Sequence, residues 1–497
     1  MGYIDKTLKE ILEGIDFNIL TEECKENIHN IKTDSRTIAK SDMFIALKGQ
    51  KYDGHTFMNE AYKNGAAYIV INKEMESFIC PTDYKGATII SVLNTRVCLP
   101  HIINNFYSHP SRHFTLIGVT GTNGKTSVIT TAKHVLRNLH NKVGLIGTIN
   151  NYIDDEILTI EKTTPTTPDC PTLGMIMSKF VTNQVNIALM EVSSMALKNH
   201  RVDGQHFDIA VFTNLSPEHL DDHKTMEDYL NSKLMLFDKA NQAVINVDDT
   251  YSNAFLETCK GKTIKYGLKN PNRCDIYATE LEYSAKGINY TLVYNNKTYK
   301  ATSNTPSEFA VYNHLAVIGI CLLLELDIEK VITFLSNNIQ IEGRYEVIKK
   351  NNHCSVIIDY AHTPVALENL LLSVRKNSSY KRIITIFGCG GDRDKGKRSV
   401  MGKISHTLSD ISIITSDNPR TENPVDIIKD ITENLPMDAS NYFTIADRKA
   451  AIEYGIQLAD KDDVVVIAGK GHEKQQIFNG YTIEFDDKKI AEAALQL

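Results

Sequence analysis

The stretch Gly118–Ser127, GVTGTNGKTS, carries the residue types of a phosphate-binding loop. Its spacing is unusual: five residues, Val119 to Asn123, separate Gly118 from Gly124, where the common loop G-x-x-x-x-G-K-[ST] has about four. The apolar run TLIGVT precedes it and the amphipathic run SVITTAKHVLRNL follows it, so strand, glycine loop and helix succeed one another. In that setting Gly121 and Gly124 let backbone N–H groups turn toward phosphate oxygens. The helix N-terminus adds a partial positive charge. Lys125 would bridge the β- and γ-phosphates of a nucleotide, and Thr126 would offer its hydroxyl to Mg²⁺. Elsewhere, Glu191 ends the apolar run VNIALMEV as a carboxylate at a strand edge, and His219 stands in SPEHLDDH. Mg²⁺ prefers oxygen, so a histidine ligand is the less usual of the two. Arg201 in KNHRV and Arg420 in SDNPR offer planar forks that match carboxylates and phosphates.

The elements that must position these groups alternate short β-branched runs with longer amphipathic ones, which predicts an α/β fold. At 497 residues the chain is too long for one core and is expected to form about three domains. The first, residues 1–110, holds MFIALKG and AAYIVIN as strands with TFMNEAYKNGA as a helix between them; the polar, Pro-containing NNFYSHPSRHF marks its end. The second, 111–340, carries TLIGVT, KVGLIGTI, VNIALMEVSS, IAVFTNLS and QAVINVDD, the pattern of a wound sheet with its ligand at the C-terminal strand edge. The third, 341–497, repeats that logic in SVIIDYAH, RIITIFGCGG, DISIITSDNPR and VVVIAGKGHE, each an apolar strand running into a polar turn.

Composition narrows the class. A net charge of -7 argues against a nucleic-acid binder. Nine scattered cysteines with no C-x-x-C pair read as reduced thiols of a cytoplasmic protein. The N-terminal MGYIDKTLKEILEGIDF lacks an apolar signal core, and no run of about 18 apolar residues predicts a membrane span.

The wording TGTNGKT resembles the ATP loop of the Mur ligases, the amino-acid-adding enzymes of peptidoglycan synthesis. The resemblance runs over nearly the whole chain and is specific in its order: TDSRTIAKSDMFIALKGQKYDGHTF, MEVSSMALKNHRV, TNLSPEHLDDH, YNH, EGRYE, DYAHTP, FGCGGDRDKGKR, SDNPRTENP and AGKGHE. It is closest in kind to the MurE-type branch. The resemblance implies an N-terminal UDP-binding α/β domain, a central P-loop ATPase-like wound sheet and a C-terminal Rossmann-like domain. It implies an ATP- and Mg²⁺-dependent, monomeric ligase that makes an amide bond through an acyl phosphate. The acceptor implied is UDP-MurNAc-L-Ala-D-Glu and the incoming amino acid meso-diaminopimelate, with an L-lysine-adding enzyme or a paralogue with another acceptor as alternatives.

Carried over residue by residue, the resemblance puts Gly121, Thr122, Asn123, Gly124, Lys125 and Thr126 on the ATP phosphates. Asn214, Asn313 and Asp359 go to the adenosine, and Arg344 in EGRYE to the phosphates. Thr126, Glu191 and His219 become metal ligands. Lys233, in YLNSKLMLF, matches a lysine that the family carbamylates, turning a cation into a carboxylate near Mg²⁺. The catalytic set is Lys125, Lys233 and His219. Ser35 in DSR should meet the uridine end, while Thr163, Thr164, Ser193, Asn199 and Arg201 should meet the muramyl-dipeptide part. Arg393, Asp417, Asn418, Pro419, Arg420, Gly469 and Glu473 should form the amino-acid site. Diaminopimelate differs from lysine by one carboxylate, and the Arg420 fork is its natural reader. The chain departs from the family pattern at Ser307 and Ala310 in SEFAVYN, and at Asp222, where relatives carry tyrosine.

Overall fold

A computed structural model describes residues 6–49, 52–218, 220–284, 287–337, 339–350, 353–376, 379–436 and 441–496. The chain packs as two compact units. One holds the residues through Gly118 together with 140–210 and 235–241; the other holds 119–139, 211–234 and the chain from Gln242 onward. The strand Thr115–Thr120, which leads into the glycine loop, passes from the first unit to the second.

In the first unit a sheet orders Phe17–Ile19, Thr88–Val92, Tyr68–Asn72, Met43–Ile45 and Ile31–Lys32. The first of these runs antiparallel to its neighbour, and the rest are parallel. Tyr68–Asn72 and Thr88–Val92 are buried nearly throughout, as strands covered on both faces must be. The Thr95–Phe106 helix covers one face with Leu99, Ile102, Ile103 and Phe106, and Met58 and Ala61 of the short Met58–Lys63 helix cover the other. The stretch NNFYSHPSRHF begins inside the first of these helices. Asn104 and Asn105 are buried, and the Asn105 amide donates to the carbonyls of Ile11 and Glu13. The same unit contains the parallel pair Val143–Ile146 and Ile187–Glu191, which ends on the carboxylate read from the sequence.

In the second unit the Lys125–Asn138 helix follows the glycine loop, with Gly124 as its left-handed N-cap at φ +88°. Parallel strands Ala240–Asn246, Thr263–Gly267 and Ile276–Ser284 lead into an antiparallel meander through Gly287–Tyr294 and Lys297–Ser303. This meander was not anticipated. Its signals are a period-two burial pattern and the Asn295–Asn296 turn, where both residues have positive φ as a tight hairpin requires. The Glu308–Leu323 helix is apolar on almost every side and is correspondingly buried.

The C-terminal part of this unit is a doubly wound sheet, ordered Glu346–Lys349, Ser355–Asp359, Val464–Ala468, Ile383–Phe387, Ile411–Ile414 and Tyr442–Thr444. All but the first strand are parallel. Leu367, Leu371, Met401 and Ile427 cover one face; Ala451, Ile452, Ala491 and Leu495 cover the other. The carboxyl ends of the parallel strands carry DYAH, GKGHE, GCGG and SDNPR, the edge where open α/β sheets bind ligands. A fully buried ion pair braces that edge. Arg448 meets Asp487 in two 2.8 Å bonds and donates to the backbone carbonyls of Ser416 and Ala468, one residue before each of two polar turns.

His314 lies on the inner face of the Glu308–Leu323 helix, 3.1 Å from the Tyr290 hydroxyl, and burial lowers its pKa from 6.5 to about 4. The folded state therefore resists a proton that the unfolded chain accepts. Stability should fall as pH drops from 6.5 toward 4 and level off below. A shift of this size is worth about 3 kcal/mol. Denaturant midpoints across that window should show the loss, and His314→Gln should flatten it; parallel slopes for the two proteins would contradict the assignment.

Candidate active site

The glycine loop is shaped by backbone crowding. Gly121 has φ +148°, and a Cβ there would stand 1.9 Å from the Thr213 hydroxyl. The next residue, Asn214, brackets the loop with three bonds. Its carbonyl accepts from the Thr122 N–H at 2.8 Å, its Oδ1 accepts from the Asn123 N–H at 3.0 Å, and its Nδ2 donates to the Asn123 carbonyl at 3.1 Å. Thr213 adds a 2.6 Å bond to the same Asn123 carbonyl. Asn313 closes the far side, its Oδ1 3.0 Å from where a Gly124 Cβ would be.

Two ammonium groups converge on the loop. Lys125 donates to the carbonyls of Gly121 and Thr122 at 2.8 and 2.9 Å. Lys233, fully buried on the Met226–Asp238 helix, donates to the Gly121 carbonyl at 3.1 Å and lies 4.5 Å from the Tyr229 ring centroid. Burial, with Lys125 as a second cause, holds the Lys233 amine well below the usual lysine range. Residue type alone suggests a solvated lysine at this position; the fold makes it an interior amine.

A cavity of about 1070 Å³ opens beside the loop, lined among others by Gly124, Asn214, Asn313, Arg344, Asp359 and Tyr360. Arg344 reaches Thr126, its Nη2 3.4 Å from the hydroxyl. Asp359 accepts from the N–H groups of Tyr345 and Ala361 at 2.7 and 2.8 Å and so fixes the turn that presents Arg344. Burial raises the Asp359 pKa, against the opposing charge of Arg344. The departures Ser307 and Ala310 line the same cavity, and the Ser307 hydroxyl lies 3.3 Å from that of Ser373.

The remaining metal and acceptor candidates belong to the first unit, apart from His219, which lies outside the described residues. Glu191 is buried and accepts from the Thr148 N–H at 2.8 Å and the Thr148 hydroxyl at 3.0 Å. Thr167 ties this strand end to Ser193, bonding the Glu191 carbonyl and the Ser193 N–H and hydroxyl. Ser193 caps the Ser194–Lys198 helix. Arg201 donates to the Thr167 carbonyl at 3.3 Å, and Asn199 donates to Met195. Thr163 accepts from the Asp169 N–H, and Thr164 donates to the Thr167 carbonyl. Ser35 is buried, its hydroxyl donating to Glu60 at 2.6 Å. Sequence reasoning missed Thr148, Thr167 and Lys162, whose ammonium donates to the carbonyls of Gly147 and Ile149.

At the C-terminal strand edge the structure brings most of the expected amino-acid residues together. The Asn418 amide donates to Glu473 at 2.9 Å. Lys470, also fully buried, donates to both Asn418 and Glu473. This lysine was passed over within GKGHE, although its place between the two glycines was the available signal. Asp417 accepts from the Asn418 N–H, and its Oδ2 lies 2.8 Å from where a Cβ on Gly469, at φ +114°, would stand. Arg420 adopts a left-handed φ of +51° and donates to the Gly391 carbonyl at 2.7 Å. Burial and the neighbouring Arg393 lower its pKa. Gly391 packs against the Pro419 carbonyl, where a Cβ would stand 1.9 Å away. Arg393 is exposed and bonds the Asp392 carbonyl. A non-glycine residue held at positive φ stores strain, which concentrates at functional sites.

A glycine loop at a helix start, an arginine reaching the loop's threonine, and a second wound sheet with its own polar edge define a nucleotide-dependent ligase architecture. Three stretches match family domains: 27–107 the Mur ligase family, catalytic domain; 119–321 the Mur ligase middle domain; and 343–471 the Mur ligase, glutamate ligase domain. The chain belongs to the Mur ligase family. It is 40% identical to UDP-N-acetylmuramoyl-L-alanyl-D-glutamate--2,6-diaminopimelate ligase 2 of Clostridium acetobutylicum, over 98% of this chain and 99% of that one. It is 41% identical to the Alkaliphilus oremlandii UDP-N-acetylmuramoyl-L-alanyl-D-glutamate--2,6-diaminopimelate ligase, over 97% and 98%. A solved structure of a UDP-N-acetylmuramoyl-L-alanyl-D-glutamate--2,6-diaminopimelate ligase superposes with a TM-score of 0.69 at 28% identity, covering 99% of both chains. The MurF ligase of Thermotoga maritima in complex with ADP shares the fold, with a TM-score of 0.61 at 17% identity over 88% and 93% of the two chains.

Gly121→Ala tests the loop geometry. The added methyl meets the Thr213 hydroxyl and forces a left-handed alanine, so ATP affinity should fall roughly tenfold or more. Calorimetric titration of ATP reads the change, and unaltered affinity would contradict it.

Proposed function

We propose that this chain is an ATP-dependent ligase that joins meso-diaminopimelate to the γ-carboxylate of D-glutamate in UDP-MurNAc-L-Ala-D-Glu. A cytoplasmic site of action goes with this reading and suits nine free cysteines. Among the described residues, no helix is long and apolar enough to cross a membrane. The observation that carries the proposal is full-length identity of about 40% to relatives bearing that name, joined to a strained Arg420 beside the Asn418–Lys470–Glu473 cluster.

The chemistry follows from charge. A carboxylate cannot lose oxide to an amine, so the γ-phosphoryl group of ATP first passes to the glutamate γ-carboxylate. The amine then attacks this acyl phosphate, a tetrahedral intermediate forms, and phosphate leaves. Lys125 and Arg344 would neutralise charge on the transferring group, and Gly121, Thr122, Asn123 and Gly124 would cradle the phosphates. Asn313, Asn214 and Asp359 would line the adenosine side.

Thr126 and Glu191 are hard oxygen donors that suit Mg²⁺, with His219 and a carbamylated Lys233 as further ligands; once bound, the ion would neutralise phosphate charge. Water and phosphate oxygens would complete the shell of such a hard ion. Lys233 fits carbamylation because burial favours the uncharged form of its amine, the form that attacks carbon dioxide. Purified protein equilibrated with ¹³C-bicarbonate should show a carbamate carbon resonance that disappears in Lys233→Met; a resonance unaffected by that change would remove Lys233 from the assignment.

Ser35 would hold the uridine end, and Thr163, Thr164, Ser193, Asn199 and Arg201 the muramyl-dipeptide. In the amino-acid site the Arg420 fork would read the distal carboxylate of diaminopimelate, Glu473 its ammonium, and Arg393, Asp417, Pro419 and Gly469 would frame the pocket. Lysine leaves the Arg420 cation unpaired, which gives discrimination.

Phosphate release and product mass are measured with ATP, Mg²⁺, the UDP-linked dipeptide and either diaminopimelate or L-lysine. Tripeptide should form with diaminopimelate, and Arg420→Ala should cut kcat/KM for it by roughly a hundredfold, as loss of a charge-assisted bidentate contact implies. Product with lysine alone would keep the ligase and overturn the Arg420 reading. No product with either would point to a different acceptor.

A further inference from the structure

Three sequence motifs, two of them near neighbours in the chain and the third more than a hundred residues on, meet around one aromatic ring, that of Tyr360 in DYAH. On one side the Arg344 guanidinium lies 4.5 Å from the ring centroid. On another the His472 ring of GKGHE lies 5.1 Å away, tilted by 39°. The backbones beneath are equally close. A Cβ on Gly343 would stand 2.1 Å from the His472 nitrogen, and one on Gly471 would stand 2.7 Å from the Gly343 carbonyl and 2.9 Å from the Tyr360 Cβ. The two turns thus pack backbone against backbone.

Arg344 depends on this ring. Among the described residues its Nε is buried with no hydrogen-bond partner, and its Nη2 makes one long bond, to Thr126. A guanidinium so weakly held is positioned by what it stacks on, and a desolvated cation–π contact is strong enough to do so. The ring is itself fixed by the edge of His362, 4.7 Å away, whose Nε2 lies 3.0 Å from Glu218.

We propose that Tyr360 is a positioning residue that couples the phosphate arginine, Arg344, to the amino-acid turn Gly469–Glu473. Occupancy of the amino-acid site orders the turn, His472 and Gly343 carry that order to Tyr360, and Tyr360 sets Arg344 over the phosphate side. The inference rests on the ligase reading above. It predicts that a change at the ring affects two substrates that do not touch it in common.

The test uses the full-length chain with ATP, Mg²⁺, UDP-MurNAc-L-Ala-D-Glu and diaminopimelate, comparing wild type, Tyr360→Phe and Tyr360→Ala. KM is measured for ATP and for diaminopimelate, with phosphate released per tripeptide formed. Tyr360→Phe keeps the ring and should match wild type within a few-fold. Tyr360→Ala should raise both KM values, lower kcat roughly tenfold, and release phosphate in excess of tripeptide. A change confined to one substrate, or none, overturns the coupling. His472→Leu tests the same path from the amino-acid side and decides the matter should Tyr360→Ala not fold: the KM for ATP must rise, and an unchanged value overturns the proposal. Wild-type protein that forms no tripeptide would instead sink the ligase reading.

Discussion

The site depends on how closely Thr213 and Asn214 approach Gly121. With a side-chain hydroxyl where any Cβ would stand, only glycine fits, and its φ of +148° turns the loop. Asn214 then bonds the Thr122 and Asn123 N–H groups and the Asn123 carbonyl, so the loop is held by the protein's own groups. Such preorganisation matters because phosphoryl transfer is governed by positioning and charge rather than by covalent help from the protein.

That constraint also explains the cations. A carbonyl turned inward at Gly121 needs a donor, and both Lys125 and Lys233 provide one. Burial, with the Lys125 charge beside it, is why the Lys233 amine is held well below the usual lysine range. Arg344 is the third cation, and it comes from a turn fixed by Asp359 rather than from the loop. The glycine loop and the arginine that reaches it thus come from residues more than two hundred positions apart in sequence.

The alternation of strands and helices was legible because each strand is short, β-branched and bounded by a polar turn, as at Ser355–Asp359 and Val464–Ala468. The glycine loop was legible from its residue types and its strand–loop–helix setting, whereas Asn214, Arg344 and the Asn418–Arg420 stretch were picked out only by the family resemblance, because asparagine and proline are ordinary turn residues. The meander was missed because its alternation is half-exposed and polar, so it reads like loop. Lys470, Thr148 and Thr167 were missed for another reason. A lysine or threonine is an ordinary surface residue by type, and only the fold makes Lys470 the buried partner of Glu473. The Ser35 hydroxyl, expected to meet a ligand, donates to Glu60.

Lys470 changes how the amino-acid edge works. Glu473 could not by itself separate an ammonium ligand from solvent cations, because a lone carboxylate binds either. Here one of its oxygens already accepts from Lys470 and Asn418, which holds the carboxylate in place. Asn418 is held in turn by Lys470 and by the Ile477 N–H, so the side chain that orients Glu473 has little freedom. Below both, the Arg448–Asp487 pair ties the carbonyls of Ser416 and Ala468, and the two polar turns keep one spacing. If, as proposed, Arg420 and Glu473 read the incoming amino acid, a pocket that tells one amino acid from another by a single carboxylate needs that rigidity. If the distance between Arg420 and Glu473 varied, a shorter zwitterion could satisfy the same two charges and the discrimination would be lost.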